Sequence, residues 1–437
     1  MQTLTKANNV TVDELQSFVE AANTPREKAS RRFIVDAFRG KMSSLIPFAL
    51  ANESVVNIAS YLLKYTKSKS KATLYQYVFG IHRFSQWIKK NPDDLVREAL
   101  FDKKTQETCI KAIDDFVGDL QAEGLADGTI NNYVKGVKAL FKINGTALTL
   151  TYRLPRGVKY SDRAPMREEL IKLLDLADTR EKAIISLLAL GGFRPGTLVK
   201  LQYRHIKEDY EKGITPLYIH VEADITKGKY HDYDTFLGTE AVEYLKAYIE
   251  LRRRGYRGMP PEQIIDSSPL IRDGRTLIKP ITPANLHLII HRLYFKAGLI
   301  KKGSSPRYEL RAHSIRKYFR TQLGASSTIP TDYIEYMMGH TISTYNDIKN
   351  RVEDLRTKYA SAELSIKPKS RMSKIEQLRT LIETSQKALD ELLSKEPMTE
   401  PHRTVVDETA QRALEALKAA FEKAIEKELQ NGHESGI

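Results

Sequence analysis

The sequence predicts a mainly α-helical protein with one small β hairpin and a helical C-terminal tail. Three observations lead there. Its 437 residues are too many for one ordinary domain, so two or three are expected. Apolar residues recur at three- and four-residue steps along most of the chain, the spacing of one helix face. A single stretch, residues 217–237, shows the two-residue alternation of strands.

In chain order, residues 1–50 are polar, with a helical stretch near Val12–Ala22 and a basic one near Arg26–Arg39. They are expected to form a partly helical arm without a compact core. Residues 51–150 read as a bundle of about four short helices. Leu74, Tyr77, Val78, Ile81, Phe84 and Ile88 mark one helix face, and Ile130, Tyr133, Val134, Val137, Leu140 and Phe141 mark another. Cys109–Leu120 supplies a third helix, Gly124–Gly128 a turn, and Trp87 is expected in the core. Glycine, proline and the lack of helical period between Gly145 and Pro165 place a linker at 151–164.

Pro165 followed by Glu168 and Glu169 starts the next domain, 165–370, because proline suits the first helical turn and carboxylates suit the N-terminal dipole. The hairpin comprises Leu217–Val221, a turn at Gly228 and Tyr233–Leu237. Helices are expected over Thr239–Arg252, Pro283–Ala297, Ser314–Leu323 and Thr331–Met338. In residues 371–437, Ile375, Leu378, Ile382, Leu389 and Leu392 form one stripe, and Leu414, Leu417, Phe421 and Ile425 a second. Two amphipathic helices or a short coiled coil fit that tail, which is expected to contact protein rather than DNA.

Composition narrows the function. The 69 Lys+Arg against 55 Asp+Glu leave a net charge of +14, which suits a polyanionic partner, nucleic acid first. The tail holds 10 of those basic and 13 of those acidic residues, so residues 1–370 carry +17 and the tail −3. The lone Cys109 forbids an intrachain disulfide, fits a reducing cytosol and excludes cysteine-based zinc fingers. The apolar run Ala183–Phe193 is too short to span a bilayer, and the first ten residues lack the apolar core of a secretory signal. No membrane partner is therefore expected.

Three clusters concentrate chemistry. In Gly191-Gly192-Phe193-Arg194-Pro195-Gly196, an arginine sits at a constrained corner and offers a planar fork for two oxygens of a phosphate; the alternative is a solvated loop arginine. In His313-Ser314-Ile315-Arg316, the histidine and arginine share a face at a helix start, where backbone N–H groups favour an anion; the alternative is a capping histidine and a surface arginine. In Tyr333–Tyr345, Gly339 ends a helix, His340 lies just beyond its cap, and Met337 and Met338 read as core. His220, His231, His313 and His340 match no usual zinc-ligand spacing, so no metal is assigned.

The order of these motifs resembles the tyrosine recombinase (phage integrase) family: an arginine corner, a hairpin lysine, H-x-x-R, G-H, then tyrosine. Thr73–Tyr77 with Phe84 and Trp87, and Thr129–Tyr133, are similar to its SAM-like core-binding domain, and the likeness spans about residues 51–365. The resemblance implies catalytic roles for Arg194, Lys227 (or Lys229), His313, Arg316 and His340. It implies a tyrosine nucleophile that attacks phosphorus, a 3′-phosphotyrosine intermediate and a leaving 5′-hydroxyl. It also implies no cofactor, since the arginines stand where a metal ion could and the phosphotyrosine conserves the bond energy without ATP. Many members place the tyrosine nine residues after the second histidine, where this sequence has Lys349. Tyr345 is preferred and Tyr359 is the alternative; this ending resembles archaeal virus and plasmid integrases. The implied partners are double-stranded DNA and further copies of the chain, as a tetramer on DNA, in a cytoplasmic, nucleoid-associated setting. Lys64, Lys67, Lys69, Lys71, Lys135 and Lys138 are candidate phosphate contacts, or else solvated helix faces. A catalytically inactive DNA-binding protein of the same fold, and a DNA-relaxing type IB topoisomerase, are the competing readings.

Overall fold

The computed structural model describes residues 19–20, 22–40, 42–150, 162–256, 259–274, 278–301, 308–326, 328–343 and 347–367. The described residues up to Leu364 belong to one compact unit; of a second, Ser365–Ile437, only 365–367 are described, so the expected tail helices lie outside the described residues. The expected helix at Val12–Ala22 and the linker segment 151–161 also lie outside them.

One hydrophobic core runs from Val19 to Leu150. Around it fold α1 (Pro25–Phe38), α2 (Ile46–Ala51), α3 (Glu53–Tyr65), α4 (Lys71–Ile88), α5 (Pro92–Phe101), α6 (Lys103–Ala122) and α7 (Asp127–Ile143). This departs from the expectation of a coreless arm before residue 51. Helix α1 buries Phe33, Ile34 and Phe38 in the same core, a stripe that its charged neighbours obscure in the sequence. Caps explain the starts: Thr24 Oγ1 accepts from Glu27 N, Ser70 Oγ from Thr73 N and Asp102 Oδ1 from Thr105 N. Trp87 sits half-buried at the rim, its Nε1 donating to Asp119 at 2.7 Å.

Helices α4 and α7 cross with backbones touching. A Cβ at Gly80 would lie 2.7 Å from the Tyr133 Cα and carbonyl oxygen, and one at Gly136 would lie 2.6 Å from the Tyr77 oxygen. Only glycine allows that approach, so two residues invisible to hydrophobic patterning set the spacing of this bundle.

The region from Asp162 builds on α8 (Arg167–Leu176), the almost wholly buried α9 (Thr179–Leu190), α10 (Pro195–Leu198) and α11 (Lys207–Lys212). Strands β1 (Leu217–Val221) and β2 (Tyr233–Leu237) pair antiparallel, with Leu217 opposite Leu237 and Val221 opposite Tyr233. Both match the expected residues, and residues 222–232 connect them, with Gly228 at φ +92°. Then follow α12 (Thr239–Arg254), α13 (Pro283–Lys296), α14 (Ala312–Ala325), α15 (Thr331–Met337) and α16 (Val352–Ser361). Helix α9 packs on α12 and α14, which places the corner after α9 beside α14. Among the described residues no single helix is long and apolar enough to cross a membrane.

Candidate active site

Helix α9 ends at Leu190, and Gly192 turns the chain with φ +65°. A Cβ at Gly192 would lie 2.7 Å from the Phe319 ring of α14, so glycine is needed for both conformation and space. Arg194 follows at the entry to α10, with Pro195 in that helix's first turn. Its Nη1 donates to the carbonyls of Met338 at 3.3 Å and Gly339 at 3.0 Å.

Arg316 lies one turn into α14 and is 2% exposed. Its Nη1 donates to the Gly192 carbonyl at 2.6 Å, and its Nη2 to the Met338 carbonyl, the oxygen that Arg194 also uses. Two guanidiniums thus share one acceptor, and neither has an ion-pair partner among the described residues. Burial, and then the adjacent Arg194 charge, pull the Arg316 group down to about 10.

The shared Met338 carbonyl belongs to a Schellman turn that ends α15. Gly339 N donates to Tyr336 O at 2.7 Å and His340 N to Glu335 O at 3.0 Å, with Gly339 at φ +61°. A Cβ on Gly339 would lie 2.5 Å from the buried Tyr233 ring of β2. Met337 and Met338 are buried, as expected. The turn brings His340 to the arginines, with Nε2 3.1 Å from Arg316 Nη2 and Nδ1 against Glu335 Oε2. Tyr336 Oη donates to Asp234 Oδ2 at 2.7 Å, tying α15 to the hairpin.

The Phage integrase family model matches residues 166–348, which hold all of these side chains. That span is therefore similar to a phage integrase domain. No curated protein matches the chain in sequence. Similar solved structures include the XerH site-specific recombinase bound to palindromic difH substrate, at 16% identity, over 79% of this chain and 98% of that one, TM-score 0.44. A lambda integrase dimer bound to a COC′ core site is similar at 17% identity, over 66% and 96%, TM-score 0.43. The Tn1549 transposon integrase in complex with transposon right end DNA follows at 17% identity, over 63% and 99%, TM-score 0.42.

Within residues 166–348, Arg194 and Arg316 meet at the Met338 carbonyl and His340 lies against Arg316. His313 is exposed at the start of α14, three residues before the buried Arg316. Partial burial, then the Arg316 charge, hold the His313 imidazole below its usual value. Lys227 and Lys229 are exposed on the 222–232 loop and make no hydrogen bond or ion pair with a described residue; Lys229 adopts φ +58°. Tyr345 lies outside the described residues.

Tyr359 is placed against a nucleophilic role. It is 2% exposed on α16, packs on Phe236 and Phe319, and donates its hydroxyl to the Leu190 carbonyl at 2.7 Å while accepting from Gly238 N at 3.2 Å. Burial pushes that hydroxyl's pKa up, away from the phenolate that attack requires.

The six candidate lysines are all exposed. Lys64, Lys67, Lys69 and Lys71 cluster where α3 passes to α4, and Lys135 and Lys138 lie on α7. Lys64 sits over the Tyr65 ring at 4.8 Å, and Lys71 pairs with Asp36 at 3.3 Å. Sequence reasoning missed Glu335 and the carbonyls of Gly192 and Met338. An acid five residues before a histidine that follows a helix-ending glycine is the one available signal, because a Schellman turn brings those two positions together.

Proposed function

We propose that the protein is a site-specific DNA recombinase, cleaving and rejoining strands through a 3′-phosphotyrosine to integrate or excise a mobile element. The supporting observation is the pair of guanidiniums on one carbonyl. Like charges held together in a poorly solvated place are unfavourable until an anion lies across them, and a phosphate undergoing substitution has its greatest charge on the oxygens these forks would reach.

In this reading the Tyr345 oxygen bonds to phosphorus while the bond to the 5′-oxygen breaks. Lys227, or Lys229 beside it, gives the leaving oxygen its proton. Arg194 and Arg316 hold the non-bridging oxygens, and His340 steadies the Arg316 fork beside them. His313, exposed and kept largely neutral, takes up the tyrosine proton. A 5′-hydroxyl from another strand then attacks the phosphotyrosine and restores the tyrosine. Exchange between two duplexes cuts four strands, one for each copy of a tetramer. Residues 51–150 and 165–370 close round the duplex with the exposed lysines on phosphates, and the tail pairs with protein. The short interval between His340 and Tyr345 supports placing the element among archaeal viruses or plasmids.

The test is incubation with a nicked suicide duplex carrying the cognate site, with chelator present, followed by denaturing electrophoresis and mass spectrometry of the DNA-bound peptide. A covalent adduct at Tyr345 is expected. An adduct at another tyrosine refutes the nucleophile, no adduct on any site refutes the enzyme, and relaxation of any plasmid regardless of sequence indicates a topoisomerase.

A further inference from the structure

The turn that ends α15 lays two side chains together as well as stopping a helix. Its long backbone bond, His340 N to Glu335 O at 3.0 Å, folds the chain back over the last helical turn. Glu335 Oε2 then meets His340 Nδ1, while Nε2 on the opposite edge of the ring lies 3.1 Å from Arg316 Nη2. A guanidinium can only donate. Nε2 must therefore present its lone pair to Arg316, and the ring proton sits on Nδ1, donated to Glu335. The carboxylate suits that task. Burial alone would raise its pKa, but the hydrogen bonds from His340 and Arg320 outweigh burial and keep it below the usual range.

We propose that Glu335 is a positioning residue of the recombinase site: by accepting the Nδ1 proton it fixes the tautomer and ring plane of His340, so that Nε2 accepts from Arg316 and holds that guanidinium in place for the scissile phosphate. The inference rests on the recombinase reading for its catalytic consequence, though not for its geometry. Among the described residues Glu335 is the one carboxylate bonded to His340. Among the described residues, Arg316 of α14 contacts the ring; Arg194 from the corner and Tyr233 from β2 act on Arg316, and Arg320 of α14 acts on Glu335. Arg320 is more than half exposed and holds the second Glu335 oxygen, Oε1, at 2.8 Å. It therefore offers a control, since a carboxylate that merely tied α14 to α15 would act through Arg320.

The experiment uses the full chain labelled with nitrogen-15 histidine, with His340→Ala to assign the signal, alongside single-turnover cleavage of the suicide duplex and non-covalent binding to the same DNA. The parent is expected to show one His340 tautomer, protonated at Nδ1. Glu335→Ala should lose that signature and slow cleavage by about 10- to 100-fold, the range for residues that orient a functional histidine, with binding changed by less than about threefold. Glu335→Gln, whose amide oxygen can still accept, should retain more activity than Glu335→Ala. In a His340→Ala background Glu335→Ala should cost nothing further, because the two act as one unit. Arg320→Ala should leave tautomer and rate near those of the parent. Mixed tautomers in the parent, an Arg320→Ala variant as slow as Glu335→Ala, or a full further loss without His340 would each overturn the proposal. If the parent forms no covalent product, the recombinase reading fails, and the tautomer measurement still decides what Glu335 does.

Discussion

Replacing Gly339 by alanine probes the turn on which the whole site hangs. At φ +61° an alanine pays about 1–2 kcal/mol for the left-handed conformation. Its Cβ would also stand 2.5 Å from Tyr233 Cε1 and 2.6 Å from Cδ1. Relaxed carbon contacts need about 3.5 Å or more, so the ring or the turn must retreat by about 1 Å. Tyr233 is 1% exposed and has little room to move, and overpacking of this kind costs about 1–3 kcal/mol. The two contributions total about 2–5 kcal/mol, a fall in melting temperature on the order of 10 °C for a domain of this size. Gly298→Ala is the paired control, since Gly298 has φ +70° and nothing within 4 Å of its would-be Cβ. It should cost the conformational part alone, about 1–2 kcal/mol. Calorimetry of the two variants measures the difference. Suicide-substrate cleavage should fall by about 100-fold or more for Gly339→Ala, because the Met338 and Gly339 carbonyls orient both arginines. Equal melting temperatures for the two variants would refute the contact argument, and full cleavage by Gly339→Ala would refute the dependence of the arginines on this turn.

Tyr345→Phe should abolish covalent trapping, whereas Tyr359→Phe should still trap DNA and lose about 1 kcal/mol through its broken hydrogen bonds to Leu190 and Gly238, measured by the same assay and by denaturation. Burial holds His82, His287 and His313 below their usual pKa. The unfolded chain then binds more protons, so stability is complete above about pH 6.5 and declines as pH falls through that value; lowered Glu335, Glu262 and Asp162 extend the loss below about pH 4.5. A melting temperature that rises between pH 7 and pH 5 would contradict this sign. Gly136→Ala should destabilise the helical bundle by about 1–3 kcal/mol, because the contact at 2.6 Å is with Tyr77 backbone, and amide exchange in α4 and α7 should speed up while that in α14 does not.

Local patterns carried much of the architecture. Both strands fall on the expected residues, and the helices at Thr239, Pro283 and Thr331 begin where turn and proline signals put them. The glycine that ends α15, the buried methionines and the basic body of the chain were equally legible, because each depends on neighbours within a turn or two. Helix α1 was legible as a basic helical stretch but its burial was not, since its apolar stripe gains a core only by meeting α3 and α4. The pairing register of the strands was not legible, because register depends on pairing rather than on composition.

The sequence by itself determined which residues could do phosphate chemistry and in what order they come: Arg194, Lys227, His313, Arg316 and His340, inside the span 166–348. Only the tertiary structure decided which of them meet. Arg194 reaches the Met338 carbonyl 144 positions away, and Arg316 bridges that same carbonyl to the Gly192 carbonyl 124 positions away, so the meeting of the corner and the turn is a long-range event that no local period encodes. The same packing turned His313 outward, sealed Tyr359 beneath Phe236 and Phe319, and set Glu335 against His340. Side-chain chemistry is a property of each residue. Burial, shared acceptors and the choice of tautomer belong to the neighbours that folding supplies.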